Sequence, residues 1–298
     1  MDQKSLSLLD KIKLVTEKAL EKKALHPILT KYQILEQDHI PFLIRMVENL
    51  ERKDNEKKKQ KQQQKKSNTF FNPFLPYDRD LFIDNIGDNH VAILNKFNVF
   101  DHHLLIVTRE FESQESALNF DDFSALWTVL SNINGLGFYN SGKLSGASQP
   151  HKHLQLVPYP LAQEIETIPI NNLVLSYKNT DEIVTLKELP FLHSIEFFEN
   201  NEDKSCEELG QITVEKYERL LERLNIKIKD NKPSQNYNLL ITKEWIMMIP
   251  RSQEKLNSIS INSLGFAGGF LVKNEEQLNL IKNSNLLEIL AQVAIKSN

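Results

Sequence analysis

Residues 135–158 read GLGFYNSGKLSGASQPHKHLQLVP, and their pattern decides the fold. Apolar and aromatic residues run up to Asn140, small residues follow from Ser141 to Ser148, and HKHLQLV then alternates, so the stretch reads as strand, glycine-rich loop, strand. Extended backbone sends His151, His153 and Gln155 to one face and Lys152 and Leu154 to the other. The loop between the strands offers free backbone donors and little side-chain bulk, which lets a chain wrap phosphate oxygens beside those histidines. Neutral imidazole is a good nucleophile at phosphorus, and a phosphoramidate intermediate divides one difficult transfer into two displacements. An HxH pair on a strand is equally half of a zinc site; its further ligands would have to come from elsewhere, and the single cysteine, Cys206, cannot make a cysteine cluster.

Outward from this centre, HVAIL (90–94) and HLLIVT (103–108) read as strands. Residues 120–133 place Phe120, Phe123, Leu126, Trp127 and Leu130 on one helical stripe, with acidic residues in the first turn. Further on come a helix near 212–226, strands at 238–242 and 245–250, and a closing helix near 275–296. Strands and helices mix without regular alternation, which indicates an α+β fold. Before the centre, Leu6 to Val15 and then 40–50 give two helical patterns separated by His26-Pro27. Residues 52–68, RKDNEKKKQKQQQKKSN, have no apolar residue and no period. The expected organisation is a helical flank at 1–51, a basic low-complexity loop at 52–68 and a catalytic domain at 69–298, with the flank packed onto that domain as one unit.

The basic charge is local. Residues 52–66 carry a net +6 in a chain of 298 residues with net charge −4, leaving −10 on the rest. An acidic body argues against a broad nucleic-acid face, although a basic loop can meet a polyphosphate at short range. No stretch approaches the roughly 20 consecutive apolar residues that span a bilayer, and one cysteine fits a reducing compartment, so a soluble cytoplasmic protein is expected. The remaining histidines, His26, His39, His90, His102, His103 and His193, are read as structural or surface groups; one of the pair at 102–103 could satisfy a hydrogen bond inside the fold.

LNKFNVFDHHLLIVT (94–108) together with YNSGKLSGASQPHKHLQ (139–155) resembles the histidine-triad superfamily, in the transferase branch where glutamine replaces the last triad histidine. With NPFLPYDRDLF (72–82), YNLLITKEWIMMIPRSQ (237–253) and SINSLGFAGGFLVKNEEQ (260–277), the chain from about residue 26 resembles the diadenosine tetraphosphate phosphorylase (ATP adenylyltransferase) family.

The resemblance implies a histidine-triad-like mixed or antiparallel sheet with flanking helices. It also implies that His153 attacks an α-phosphate and carries AMP, that His151 positions it, and that Gln155 hydrogen-bonds the phosphate. An amide cannot titrate into an acid–base that favours water as acceptor. Asn95, followed by Lys96, falls where the superfamily binds ribose hydroxyls; Asn140, Gly146, Ala147 and Ser148 fall on its phosphate loop. Lys53 and Lys273 are the basic residues expected on the polyphosphate, and Asn262, Ser263 and Leu264 are expected to line the same pocket.

The implied reaction is phosphorolysis of diadenosine tetraphosphate to ATP and ADP, reversible as adenylylation of ATP, with sulfate as a secondary acceptor. Expected partners are nucleotides and inorganic phosphate, with neither nucleic acid nor membrane, in a monomer or small homo-oligomer. No tightly bound cofactor and no protein metal site are implied; magnesium would come with the polyphosphate. Rival readings are a hexose-1-phosphate uridylyltransferase, whose metal-binding cysteines are absent here, a non-catalytic nucleotide sensor, and a metal-binding protein.

Overall fold

The computed structural model describes residues 6–48, 72–178, 183–199, 201 and 203–297. The basic loop at 52–68, Lys53 with it, lies outside the described residues. Helix α1 (Leu8–Glu21) opens with a Ser7 cap whose hydroxyl accepts from the Asp10 N–H.

Strands β1 (Thr30–Gln37) and β2 (Ile40–Val47) follow as an antiparallel hairpin in the register Gln37↔Ile40. The expectation of a second helix over 40–50 is therefore corrected. Asp38 and His39 take φ of 50° and 61°, the left-handed pair of a two-residue hairpin turn, and they set a two-residue period that overrides the helical spacing.

The central sheet begins with β3 (Phe82–Ile86), β4 (His90–Leu94) and β5 (Leu104–Thr108). Helix α2 (Phe120–Leu130) follows, started by a reciprocal Asn119–Asp122 capping box. Then come β6 (Gly135–Asn140), β7 (His153–Pro158), the short α3 (Asn171–Leu175), β8 (Ser194–Phe197) and α4 (Cys206–Arg223). After the small hairpin β9 (Ile228–Lys229) and β10 (Lys232–Pro233), β11 (Tyr237–Ile241) and β12 (Trp245–Pro250) complete the sheet.

A second small hairpin, β13 (Lys255–Leu256) and β14 (Ile259–Ser260), leads to α5 (Ser263–Phe266) and β15 (Gly269–Val272). The expected closing helix is two, α6 (Glu275–Lys282) and α7 (Leu286–Val293). The break falls where Asn285 leaves the helix to cap α7, its side chain accepting from the Glu288 N–H at 3.0 Å.

Eight strands form one antiparallel sheet in the order β3-β4-β5-β7-β6-β11-β12-β8, so the two strands that flank the glycine-rich loop sit side by side at its centre. One face is covered by α1, α2 and α4, packing Ile12, Phe123, Trp127 and Leu220 against Leu154, Leu156 and Met248. On the other face, β1, β2 and β15 form a smaller sheet in which β15 runs parallel to β2. That sheet joins α6 and α7 in burying Phe42, Phe270, Ile281 and Leu290 with Phe138 and Met247. The β4–β5 half of the same face is held apart in its own cluster, where Phe74 covers Val91, Ile93, Leu105 and Val107. Gln155 pairs with Leu105 on one side and Phe138 on the other, at the seam between these two cores. This α+β arrangement fits the expected histidine-triad-like class. Among the described residues no helix is long and apolar enough to cross a membrane.

Candidate active site

His153 opens β7 with its side chain on the seam, opposite Val107 of β5, while Lys152 and Leu154 turn to the helix-covered face. Its Nδ1 lies 2.8 Å from the His151 carbonyl oxygen. A carbonyl only accepts, so Nδ1 carries the proton and Nε2 keeps its lone pair, without a hydrogen-bond partner among the described residues. Burial holds the imidazole pKa down at about 4, against the raising effect of the His151 carbonyl. At neutral pH the ring is uncharged and its free nitrogen can attack. Phe74 packs beside it at 5.3 Å between ring centroids.

The His151 ring has neither nitrogen to spare. Nε2–H faces the carbonyls of Thr108 at 2.9 Å and Glu110 at 3.1 Å, and Nδ1 accepts from the Asn72 amide at 2.9 Å. His151 therefore acts through its own carbonyl, which fixes the tautomer of His153.

Gln155 is oriented by a histidine that sequence reasoning left among the structural groups. His103 Nε2 lies 3.0 Å from Gln155 Oε1, and His103 Nδ1 lies 3.2 Å from the Asn95 Nδ2 donor. Burial takes the His103 pKa to about 4, so the ring carries one proton, and that proton must face the glutamine oxygen. Gln155 is left with its oxygen tied down and its NH2 without a partner among the described residues. Asn95, expected at the ribose, thus also ends the chain of bonds that sets Gln155, while the Lys96 ammonium lies 3.3 Å from Asp78.

The same device sets Asn140 at the end of β6. Its Oδ1 accepts from Asn238 Nδ2 at 2.7 Å, from Ser263 Oγ at 2.8 Å and from the Ser263 N–H at 3.0 Å, while its NH2 has no partner among the described residues. Asn238 is in turn held by the buried Arg251 guanidinium at 2.5 Å. Ser263, fully buried, turns its N–H to Asn140 and shares its hydroxyl among Asn140, Asn238 and the Tyr139 carbonyl, so it acts through Asn140 rather than on a ligand.

Gly146 takes φ +87°, and a Cβ there would stand 2.8 Å from the Asn262 Cβ, so glycine lets the loop close against the cap of α5. Asn262 caps that turn through the Leu264 N–H at 3.0 Å, and Leu264 packs on the core. The Ala147 N–H donates to the Gly142 carbonyl at 3.2 Å, and Ser148 is exposed. Lys273 is exposed directly after β15, with its backbone N–H on Gln277 at 2.8 Å.

The site residues that sequence reasoning missed are His103, Asn72, Gln114, Asn238 and Arg251. For His103 a signal was present: two-residue spacing puts it on the face of Leu105 and Val107. The others act across breaks in the chain and have no local signature. Among the described residues no three His, Cys, Asp or Glu side chains gather as a metal site. Chemically, the seam offers an unprotonated imidazole nitrogen and two amide groups whose NH2 ends have no partner among the described residues, a combination that attack on a phosphorus ester can use.

Comparison with known proteins bears on which ester. The Ap4A phosphorylase N-terminal domain matches residues 1–176, and the ATP adenylyltransferase C-terminal domain matches 187–296. Diadenosine 5',5'''-P1,P4-tetraphosphate phosphorylase 2 of Saccharomyces cerevisiae is 32% identical over 245 residues, covering 72% of this chain and 73% of its own. Protein APA1 of the same yeast is 30% identical over 203 residues, 63% of each. The crystal structure of yeast Ap4A phosphorylase Apa2 in complex with Ap4A superposes with a TM-score of 0.78 at 25% identity, covering 98% of both chains; its complex with AMP gives 0.77 at 26%, again 98% of both.

Proposed function

Since the chain belongs to the Ap4A phosphorylase and ATP adenylyltransferase family, we propose that it cleaves diadenosine tetraphosphate by phosphorolysis, giving ATP and ADP, through an adenylyl group carried on His153. The observation that carries this reading is the tautomer of His153: its protonated Nδ1 is spent on the His151 carbonyl, and its Nε2 is unprotonated and has no partner among the described residues.

In the first half-reaction Nε2 attacks an α-phosphorus, an N–P bond forms, and the bridging P–O bond breaks with ATP as leaving group. As the lone pair is used, positive charge develops on the ring, and the His151 carbonyl stabilises it through Nδ1–H. The Gln155 and Asn140 NH2 groups supply hydrogen bonds to the equatorial oxygens, where negative charge is shared in transfer to phosphorus. Inorganic phosphate then attacks from the side ATP has left, the N–P bond breaks, and ADP is released. Gly146, Ala147 and Ser148 would wrap the phosphate, Asn95 and Lys96 the ribose, with Asn262 at the loop's back. Lys53 and Lys273 would meet the polyphosphate.

The lone cysteine supports a reducing cytoplasmic setting; a monomer or small homo-oligomer is the expected state.

Intact mass after brief incubation with diadenosine tetraphosphate in the absence of phosphate tests the proposal. Wild type should gain one AMP, a His153→Ala variant none, and added phosphate should discharge the adduct as ADP. Tight binding with no adduct, and no ADP with phosphate present throughout, would overturn it in favour of a nucleotide sensor.

A further inference from the structure

Strands β6 and β7 pair from Gly135↔Pro158 up to Phe138↔Gln155 and then stop, although the same register would next bring Tyr139 against Leu154 and Asn140 against His153. The strands have not ended there. β7 still pairs through Val107↔His153 on its β5 side, and β6 through Asn140↔Asn238 on its β11 side. The sheet is forked at its centre, between the two residues that would meet the α-phosphate.

A single side chain fills the fork. Gln114 comes from the segment after β5, is 2% exposed, and stands where the missing rungs would be. Its Oε1 accepts from the His153 N–H at 2.8 Å, and its Nε2 donates to the Asn140 carbonyl at 2.9 Å and the His153 carbonyl at 3.2 Å. Its backbone is fixed as firmly: the N–H donates to the Pro150 carbonyl at 2.8 Å, and the carbonyl accepts from the buried Tyr139 hydroxyl at 2.7 Å. The side-chain amide thus replaces a strand rung with a wider bridge that bonds three of the four backbone groups the rung would have used, the N–H and C=O of His153 and the C=O of Asn140.

We propose that Gln114 is a positioning residue that wedges β6 and β7 apart and so sets the gap between His153 and Asn140 into which the α-phosphate fits. The physical need is simple. Side chains directly opposite on paired antiparallel strands stand about 4.5–5.5 Å apart at Cβ, too close for a phosphate group between them. Simply leaving the strands unpaired would open the gap but strand buried N–H and C=O groups. A glutamine amide, with one acceptor and two donor hydrogens, holds the gap open while bonding three of those four groups. Gln114 touches neither substrate nor reacting atoms; it acts through the backbone of the nucleophile. This deepens the adenylyl-transfer proposal and rests on it for its catalytic consequence.

The test compares wild type with Gln114→Ala and Gln114→Glu, the latter keeping the acceptor for the His153 N–H but losing the donors to the two carbonyls. Three quantities are read: hydrogen exchange of the His153 backbone amide, AMP binding, and the single-turnover rate of AMP adduct formation from diadenosine tetraphosphate. Expected for Gln114→Ala are at least tenfold faster exchange at His153, an adduct rate lowered about 100-fold, as misplacement by an ångström produces, and a Kd for AMP within about threefold of wild type. Gln114→Glu should retain exchange protection and still lose rate, which supplies the answer even where the alanine variant folds poorly. Unchanged exchange in Gln114→Ala, an unchanged rate in both variants, or a rate loss matched by an equal loss of AMP affinity would each overturn the wedge. A wild-type protein that forms no adduct would sink the adenylyl-histidine reading and with it the catalytic role given to Gln114, whereas wild-type adduct with unchanged variants sinks the wedge alone.

Discussion

His153 and His103 sit within a few ångströms of amide and carbonyl groups that fix their protons, yet burial is the larger influence on both, holding each near pKa 4. Protonation of Nε2 would remove the proposed nucleophile, so the rate of AMP adduct formation by the free enzyme should fall on an acid limb near pH 4 rather than near the ordinary histidine value of about 6.5. A pH profile of adduct formation, measured without phosphate so that the acceptor's own titration does not intrude, checks this.

The same shifts act on stability. The unfolded chain binds protons at these two histidines near pH 6.5 and the folded chain only near 4, so unfolding takes up protons in that window. Stability should be greatest above pH 6.5 and decline progressively as pH falls to about 4, by about 3 kcal/mol for each histidine. Denaturant melts of wild type and His103→Asn at pH 7 and pH 4.5 would show it, the variant losing less between the two. His103 should matter to rate as well. His103→Ala releases the Gln155 oxygen, its NH2 is no longer aimed, and adduct formation should drop by about 10- to 100-fold, the cost of one buried group left unpaired; an unchanged single-turnover rate would show that Gln155 needs no such guide.

At the scale of elements, β7 is bonded from both faces. Lys152, between the two motif histidines, is wholly buried with its ammonium 2.5 Å from Asp122, which also accepts from His90 at 2.9 Å and starts α2. Both neighbours hold the Asp122 carboxyl below its usual range although burial, the largest influence, pushes it up. A lysine that alternation alone sends to the back of the sheet thus pins β7 to the helix behind it. Lys152→Met should cost about 3–5 kcal/mol in chemical denaturation, because it leaves a buried carboxylate short of a partner. A second change, Asp122→Leu, should recover part of that loss.

How legible each element was follows from where its partners lie. WIMMIP, HVAIL and the 120–130 stripe could be read because burial on a periodic face writes itself into a short window, and the strand–loop–strand at 135–158 carried its chemistry within one such window. The β1–β2 hairpin was misread because β2 lies between β1 and β15 and is buried at most positions, so its apolar run does not alternate and fits helical spacing as well, and because its turn is Asp38-His39 without glycine. Arg251, Asn238 and Gln114 were invisible because their roles come from partners 13, 98 and 39 residues away in the chain, brought together only by the fold.

Across the whole molecule, the two matched regions, 1–176 and 187–296, do not correspond to two separable bodies. The junction is β6 against β11: one belongs to the first region and carries Asn140, the other belongs to the second and carries the Asn238 that orients it. One core mixes Phe42, Phe138 and Val157 with Met247, Phe270 and Ile281, and the helix-side core likewise mixes Trp127 with Tyr217 and Leu220. β15, near the C-terminal end, completes the sheet that β1 and β2 begin. Cutting the chain between the matched regions would expose apolar surface on both faces of the central sheet and a bare β6 edge, which is a site of aggregation rather than a domain boundary. A fragment of residues 1–186 produced alone should therefore show no cooperative unfolding transition, and it should form no AMP adduct although it contains His151, His153 and Gln155. Producing it together with 187–298 should restore a single transition and the adduct. A cooperative melt and nucleotide binding by the isolated N-terminal fragment would show instead that the seam is complete within the first 186 residues, and that Asn238, Ser263 and Arg251 only refine an amide that already points the right way.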